Sequence, residues 1–177
     1  MKPLVLLFTL FACSLLHAAA RIHAAHCHAT DSTLLLDVDA SLALPEEPVN
    51  AVKSGLNLHL VFDIDLKAAK RWWEHRPILH YQQRLSYNPI SQQFILENPA
   101  SLKRLSFANL SDALASATRA QALPFTLTRP LDPEGDYHAS VRLRVDEAQL
   151  PVALRLQAFF NPDWHIQSDW FPCPFDR

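Results

Sequence analysis

Hydrophobic and polar residues alternate with period two along much of this chain. Leu34, Leu36, Val38, Ala40, Leu42 and Leu44 share one side of an extended backbone, with Asp37, Asp39 and Ser41 on the other. That is the signature of a strand with one face on a core and one in water. The same alternation recurs in Leu56, Leu58, Leu60, Phe62, Ile64 and Leu66 against Asn57, His59, Asp63 and Asp65. It appears again in Tyr137, Ala139, Val141, Leu143 and Val145 against His138, Ser140, Arg142, Arg144 and Asp146. Weaker strand patterns cover residues 21–30, Phe94 to Glu97, Leu102 to Phe107, and Phe125 to Leu131. Near the C-terminus, Val152, Leu154, Leu156, Ala158 and Phe160 read as a strand that returns at Asn161-Pro162 into Trp164, Ile166, Ser168 and Trp170.

Two stretches break this period. Glu46, Glu47 and Pro48 suit a helix start, Lys53 its last turn and Gly55 its cap. Asn109 with Asp112 opens a second helix, in which Leu110, Ala113, Leu114 and Ala117 form one apolar stripe. Asn-Pro and Asp-Pro pairs punctuate the reversals, which favours antiparallel neighbours joined by short turns. The expected fold is therefore α+β: a mainly antiparallel, curved β-sheet, sandwich-like or a half-barrel, with two short helices.

Composition places the chain among well-packed globular domains. Of 177 residues, 49% are hydrophobic and 19% charged, with four Trp and ten Phe, which is one domain's worth of core and excludes a disordered chain. Residues 1–20 read as a secretory leader: Lys2, then an apolar run from Leu4 to Leu16, then Ala18, Ala19 and Ala20. The run is shorter than the roughly 20 residues of a membrane-spanning helix, so no transmembrane span is expected after cleavage. An alternative treats Leu10 to Cys13 as a lipoprotein box anchored through Cys13. Residues 21–177 then form a single β-rich domain that is periplasmic or exported. Removing the leader takes the 16 Lys and Arg to 15 against 18 Asp and Glu, a formal charge of −3, which gives no pull toward nucleic acid.

The densest aromatic and cationic stretch is RWWEHRPILHYQQRLSY, Arg71 to Tyr87. On an extended backbone Trp73, Leu79, Tyr81, Leu85 and Tyr87 share the parity of a core face, whereas Trp72, Arg76, Arg84 and Ser86 share the outward one. Trp72, Arg76 and Arg84 are the candidate binding residues, because Trp and Arg supply contact area and cation–π attraction at interfaces. Pro77 lacks a ladder donor and marks an expected edge or bend.

Taken in order, Arg71-Trp72-Trp73, Leu85-Ser86-Tyr87, the helix around Asn109 to Ala117, the Asp146 to Pro151 segment and the Trp164 to Trp170 stretch give the chain a resemblance. It is similar to the exported proteobacterial family catalogued as domain of unknown function 4390. The resemblance implies no catalytic residues. It implies an envelope role, since such proteins are often encoded beside a membrane sensor kinase and its response regulator.

The remaining candidates are modest. Cys27 and Cys173 form either a disulfide between the first strand and the tail or two unpaired thiols. His26 and His28 share a face and are weak metal candidates, two ligands where a zinc site needs three or four; no cofactor is expected. Asp37, Asp39, Asp63 and Asp65 are acidic i, i+2 pairs, and Arg142, Arg144 and Arg155 are the expected partners of a cross-strand charge ladder. Ser86 has no nucleophile elbow and no triad is readable. The expected function is a non-enzymatic binding or accessory module for another envelope protein; the alternative is a carrier of a lipid or other apolar ligand in a sheet-and-helix cavity.

Overall fold

A computed structural model describes residues 20–30, 32–68, 77–99, 101–132 and 135–176. The strands are β1 (Ala20–Ala29), β2 (Thr33–Leu42), β3 (Leu58–Ala68), β4 (Leu79–Asn88), β5 (Gln93–Glu97), β6 (Arg104–Phe107), β7 (Arg119–Thr126), β8 (Tyr137–Val145), β9 (Phe171–Cys173) and β10 (Phe175–Asp176). The helices are α1 (Glu46–Lys53), α2 (Leu110–Thr118) and α3 (Val152–Phe160), with 3₁₀ turns at Glu147–Gln149 and Pro162–Trp164. Except for Ala20, which opens β1 opposite Leu42, the expected leader lies outside the described residues, and so does Cys13.

The strands form two sheets. One has the order β10-β1-β2-β7 and the other β6-β5-β4-β3-β8-β9. All pairings are antiparallel except β1 with the short β10. The alternating positions read from the sequence explain why the sheets face each other. Leu34 and Leu36 of β2 and Phe125 of β7 are buried against Phe62 and Ile64 of β3, Leu85 of β4, and Val141 and Leu143 of β8. Tyr81 and Phe125 meet across the gap with ring centroids 5.9 Å apart. Burying a Leu, Ile or Phe side chain contributes about 1.5–3 kcal/mol, so this interior is the main source of stability. Cys27 of β1 and Cys173 of β9 are joined with Cα atoms 5.7 Å apart, tying one sheet to the other.

α1 ends as its sequence dictates. Gly55 takes φ 100°, the left-handed conformation that glycine enters without a Cβ penalty. The amides of Gly55 and Leu56 then reach back to the carbonyls of Val52 and Ala51, both at 3.0 Å, closing the helix end. α2 buries Ala113, Leu114 and Ala117, the stripe its spacing predicts.

Three expectations are corrected. Residues 152–160 are a helix, so the described residues hold three α-helices and not two. The segment Trp164 to Trp170 is a 3₁₀ turn followed by irregular chain that meets β8 at the Arg144–Gln167 bridge, with the Leu143 amide also donating to Ser168 Oγ at 3.0 Å. β4 is not an edge strand: it is paired with β3 on one side and β5 on the other, so of the two readings of Pro77, edge or bend, the edge falls; Pro77 lies two residues before β4, outside any strand.

Candidate functional site

The outer face of the six-stranded sheet carries a polar cluster built by strand register. β3 lies between β4 and β8, placing Asp63 opposite both His80 and Arg142. Asp63 is 1% exposed. It accepts hydrogen bonds from Arg142 Nη2 at 2.8 Å and Arg144 Nε at 2.8 Å, and pairs with His80 Nδ1 at 2.7 Å. Arg144 Nη1 also donates to Asp146 Oδ1 at 2.9 Å, and the Arg142 guanidinium stacks 4.6 Å over the Trp170 ring. Burial alone would raise the Asp63 pKa, but the hydrogen bonds from Arg144, Arg142 and His80 outweigh it and hold the carboxyl below its ordinary value. Burial works against the Arg144 charge too, and Asp63 and Asp146 raise its pKa in spite of it. Both Asp63 oxygens are thus satisfied within the cluster, whereas Arg142 Nε is buried with no hydrogen-bond partner among the described residues. The charge ladder expected for Asp63, Arg142 and Arg144 is present, whereas Arg155 is exposed on α3.

Of the three binding candidates, Trp72 and Arg76 lie outside the described residues. Arg84 sits on β4 and donates from Nη2 to Glu97 Oε2 of β5 at 2.7 Å. That bond is the main cause of the lowered Glu97 pKa. His59, next to Arg84 in register, has its pKa lowered by burial and by the Arg84 charge, partly offset by Asp146. On β4 Leu85 is buried, and Leu79, Tyr81 and Tyr87 pack against the core.

His26 is exposed and His28 pairs with Asp37 at 3.3 Å. Among the described residues no three His, Cys, Asp or Glu side chains are grouped to hold a metal ion. No helix among them is long and apolar enough to cross a membrane.

Two features went unread in the sequence. The first is α3, whose buried side is Ala158, with Leu154 packed beside it. At 100° per residue, Val152, Leu156, Phe159 and Phe160 fall on the opposite side, where they are 66%, 66%, 73% and 82% exposed. Phe159 and Phe160 stack edge to face at 5.1 Å. The helix is thus apolar on both its inner and outer sides, with Arg155 and Gln157 at the flanks. Asn161, which follows the last residue of α3, ties the helix end to α1 through a hydrogen bond from its Nδ2 to Glu47.

The second is a cleft of about 260 Å³ between the sheets, where β4, β5 and β6 face α2 and β7. Gln83 sits there at an inward position of β4, 7% exposed, and its buried Oε1 has no hydrogen-bond partner among the described residues. Leaving such an acceptor unsatisfied costs about 1–3 kcal/mol. The sequence signal was present: Gln83 shares the parity of Tyr81 and Leu85.

Comparison with known proteins defines the class of this two-sheet domain. A family described as Domain of unknown function (DUF4390) matches residues 17–174. The chain belongs to that family. No curated protein and no solved structure matches it.

Proposed function

We propose that the protein is a non-enzymatic periplasmic binding or accessory module, and that it docks on another envelope protein through the outer side of α3. One observation carries this reading: Val152, Leu156, Phe159 and Phe160 form a contiguous exposed apolar stripe on one helix, whereas the other strongly exposed large apolar side chains among the described residues, Ile90 and Leu102, stand singly in the turns on either side of β5. Such patches mark interaction sites, and aromatic anchors carry much of the energy at interfaces. A membrane surface fits less well. Interfacial helices carry Lys and Arg on the polar side, whereas α3 has only Arg155, and Glu147, Asp163 and Glu47 lie around its ends. The leader-like residues 1–20 support an envelope location, and the family resemblance makes a membrane sensor kinase the first partner to try.

A carrier of apolar ligands would need an enclosed cavity of lipid size. Phe62, Phe125, Leu34, Leu36 and Ile64 occupy the space between the sheets, which favours docking over carriage. The test is quantitative co-purification from envelope extracts with wild type, Leu156→Ser/Phe159→Ser and Arg76→Ala/Arg84→Ala. A stoichiometric partner recovered by wild type and by the arginine variant, and lost from the α3 variant at unchanged thermal stability, is the expected result. Equal recovery by all three removes α3 as the docking surface.

A further inference from the structure

The cleft at Gln83 has the composition of a ligand site and is independent of the α3 surface. Its apolar wall is Leu96, Leu105 and Leu123, and Lys103 and Arg119 bring two cations to it. Arg119 holds Asp39 through Nε at 3.2 Å, one donor of the five a guanidinium carries. At the floor, the Gln83 side chain is more than nine-tenths buried and its Oε1 lacks a donor among the described residues.

Backbone geometry opens the site. Opposite Asp37 the register of β7 slips, so Leu36 pairs with Leu123 but Val38 with Ala120. This bulge brings Ala120 and Gln121, adjacent residues that a regular strand would point to opposite faces, both onto the cleft. Ala122 within the bulge has φ 54°, and Leu102, next to Lys103 in the β5–β6 turn, also has φ 54°. Non-glycine residues held in this region are strained, and such strain clusters at ligand sites.

We propose that this cleft binds a small amphipathic anion that also carries an N–H or O–H donor. The donor bonds to Gln83 Oε1, the anionic group lies at Lys103 and Arg119, and the apolar part lies along Leu96, Leu105 and Leu123. A cleft of about 260 Å³ falls below the roughly 300–1,000 Å³ of drug-sized sites, which limits the ligand to a small molecule.

Three probes separate the parts of this assignment. N-acetyl-L-leucine has the charge, the donor and the apolar chain; 4-methylpentanoate lacks the donor; N-acetyl-L-leucinamide lacks the charge. Titrated into the disulfide-bonded protein and followed by backbone-amide NMR, N-acetyl-L-leucine is expected to give saturable shifts at the cleft residues. Each of the other two is expected to bind about ten-fold more weakly, the loss of one good hydrogen bond or charge contact. Lys103→Ala/Arg119→Ala, both exposed positions, should abolish the preference for acid over amide, and Gln83→Leu the preference for N-acetyl-L-leucine over 4-methylpentanoate. If Gln83→Leu does not fold, the surface double variant decides. No saturable shift at the cleft with any probe, or preferences that survive the substitutions, overturns the proposal.

Discussion

Arg144 and Asp63 meet through Nε and Oδ2 at 2.8 Å on the outer face of the six-stranded sheet, and the same guanidinium reaches Asp146 at 2.9 Å. Asp63 is the only carboxylate within bonding distance of Arg142 among the described residues, at 2.8 Å, so one buried carboxylate is shared by two cations, the second of which also pairs with Asp146. Removing one partner of a buried pair strands the other, at a cost of about 3–5 kcal/mol. Because both arginines are 24% exposed, the low end applies. Asp63→Ala is expected to lower unfolding stability by about 3 kcal/mol in urea titrations, and a loss under 1 kcal/mol would show that the cluster is solvated in practice.

The same pair sets an acid limb. The folded Asp63 pKa lies below its unfolded value, which for a free Asp is about 3.9. Its stabilisation is therefore complete above the unfolded value and is lost as pH falls through that value and then through the folded one. Urea stability of wild type and Asp63→Asn, compared from pH 6 to pH 3, should differ by a constant amount at the upper end. The gap should narrow below about pH 4. A gap that stays constant to the lowest pH contradicts the assignment.

The disulfide is a third point of test. Cys27 and Cys173 are 146 residues apart in sequence, and a loop of that length constrains the unfolded chain by about 5 kcal/mol in the entropy model. Cys27→Ala/Cys173→Ala, or reduction of wild type, should lower stability by several kcal/mol. Half-denaturation in urea at the same concentration with and without reductant would show that the bond contributes nothing.

Which parts were legible follows from how strongly one period dominates. In β2, β3 and β8 the outer face carries charged residues and the inner face is apolar, so only a strand satisfies the pattern. VALRLQAFF, by contrast, satisfies parity through Val152, Leu154, Leu156, Ala158 and Phe160 and helical spacing equally well, because both sides of α3 are apolar. Its Ala, Leu, Arg and Gln content was the arbiter, since these are strong helix formers. Register was not legible either: Asp63 meets His80 because β4 pairs with β3, and Arg142 only because β8, a distant segment, pairs with β3 on its other side. Gln83 did leave a trace, as a polar residue at an inward position, but parity alone does not say whether such a residue is bonded or bare.

Ala122 offers the last test, on the backbone of the proposed cleft. Replacing Ala by Gly in a strand ordinarily costs about 0.5–1 kcal/mol through the freedom of the unfolded chain. At φ 54° the sign turns over, because Ala in the left-handed region carries about 1–2 kcal/mol of Cβ strain that Gly does not. The Ala122 amide donates to Asp37 Oδ1 at 2.7 Å, a bond to the backbone that Gly retains. Ala122→Gly is therefore expected to raise stability by up to about 1 kcal/mol, and Ala122→Val to lower it, since a β-branched side chain is least tolerated there. Loss of stability in the glycine variant would mean that the bulge is not strained, and would remove one of the supports for a ligand site beside it.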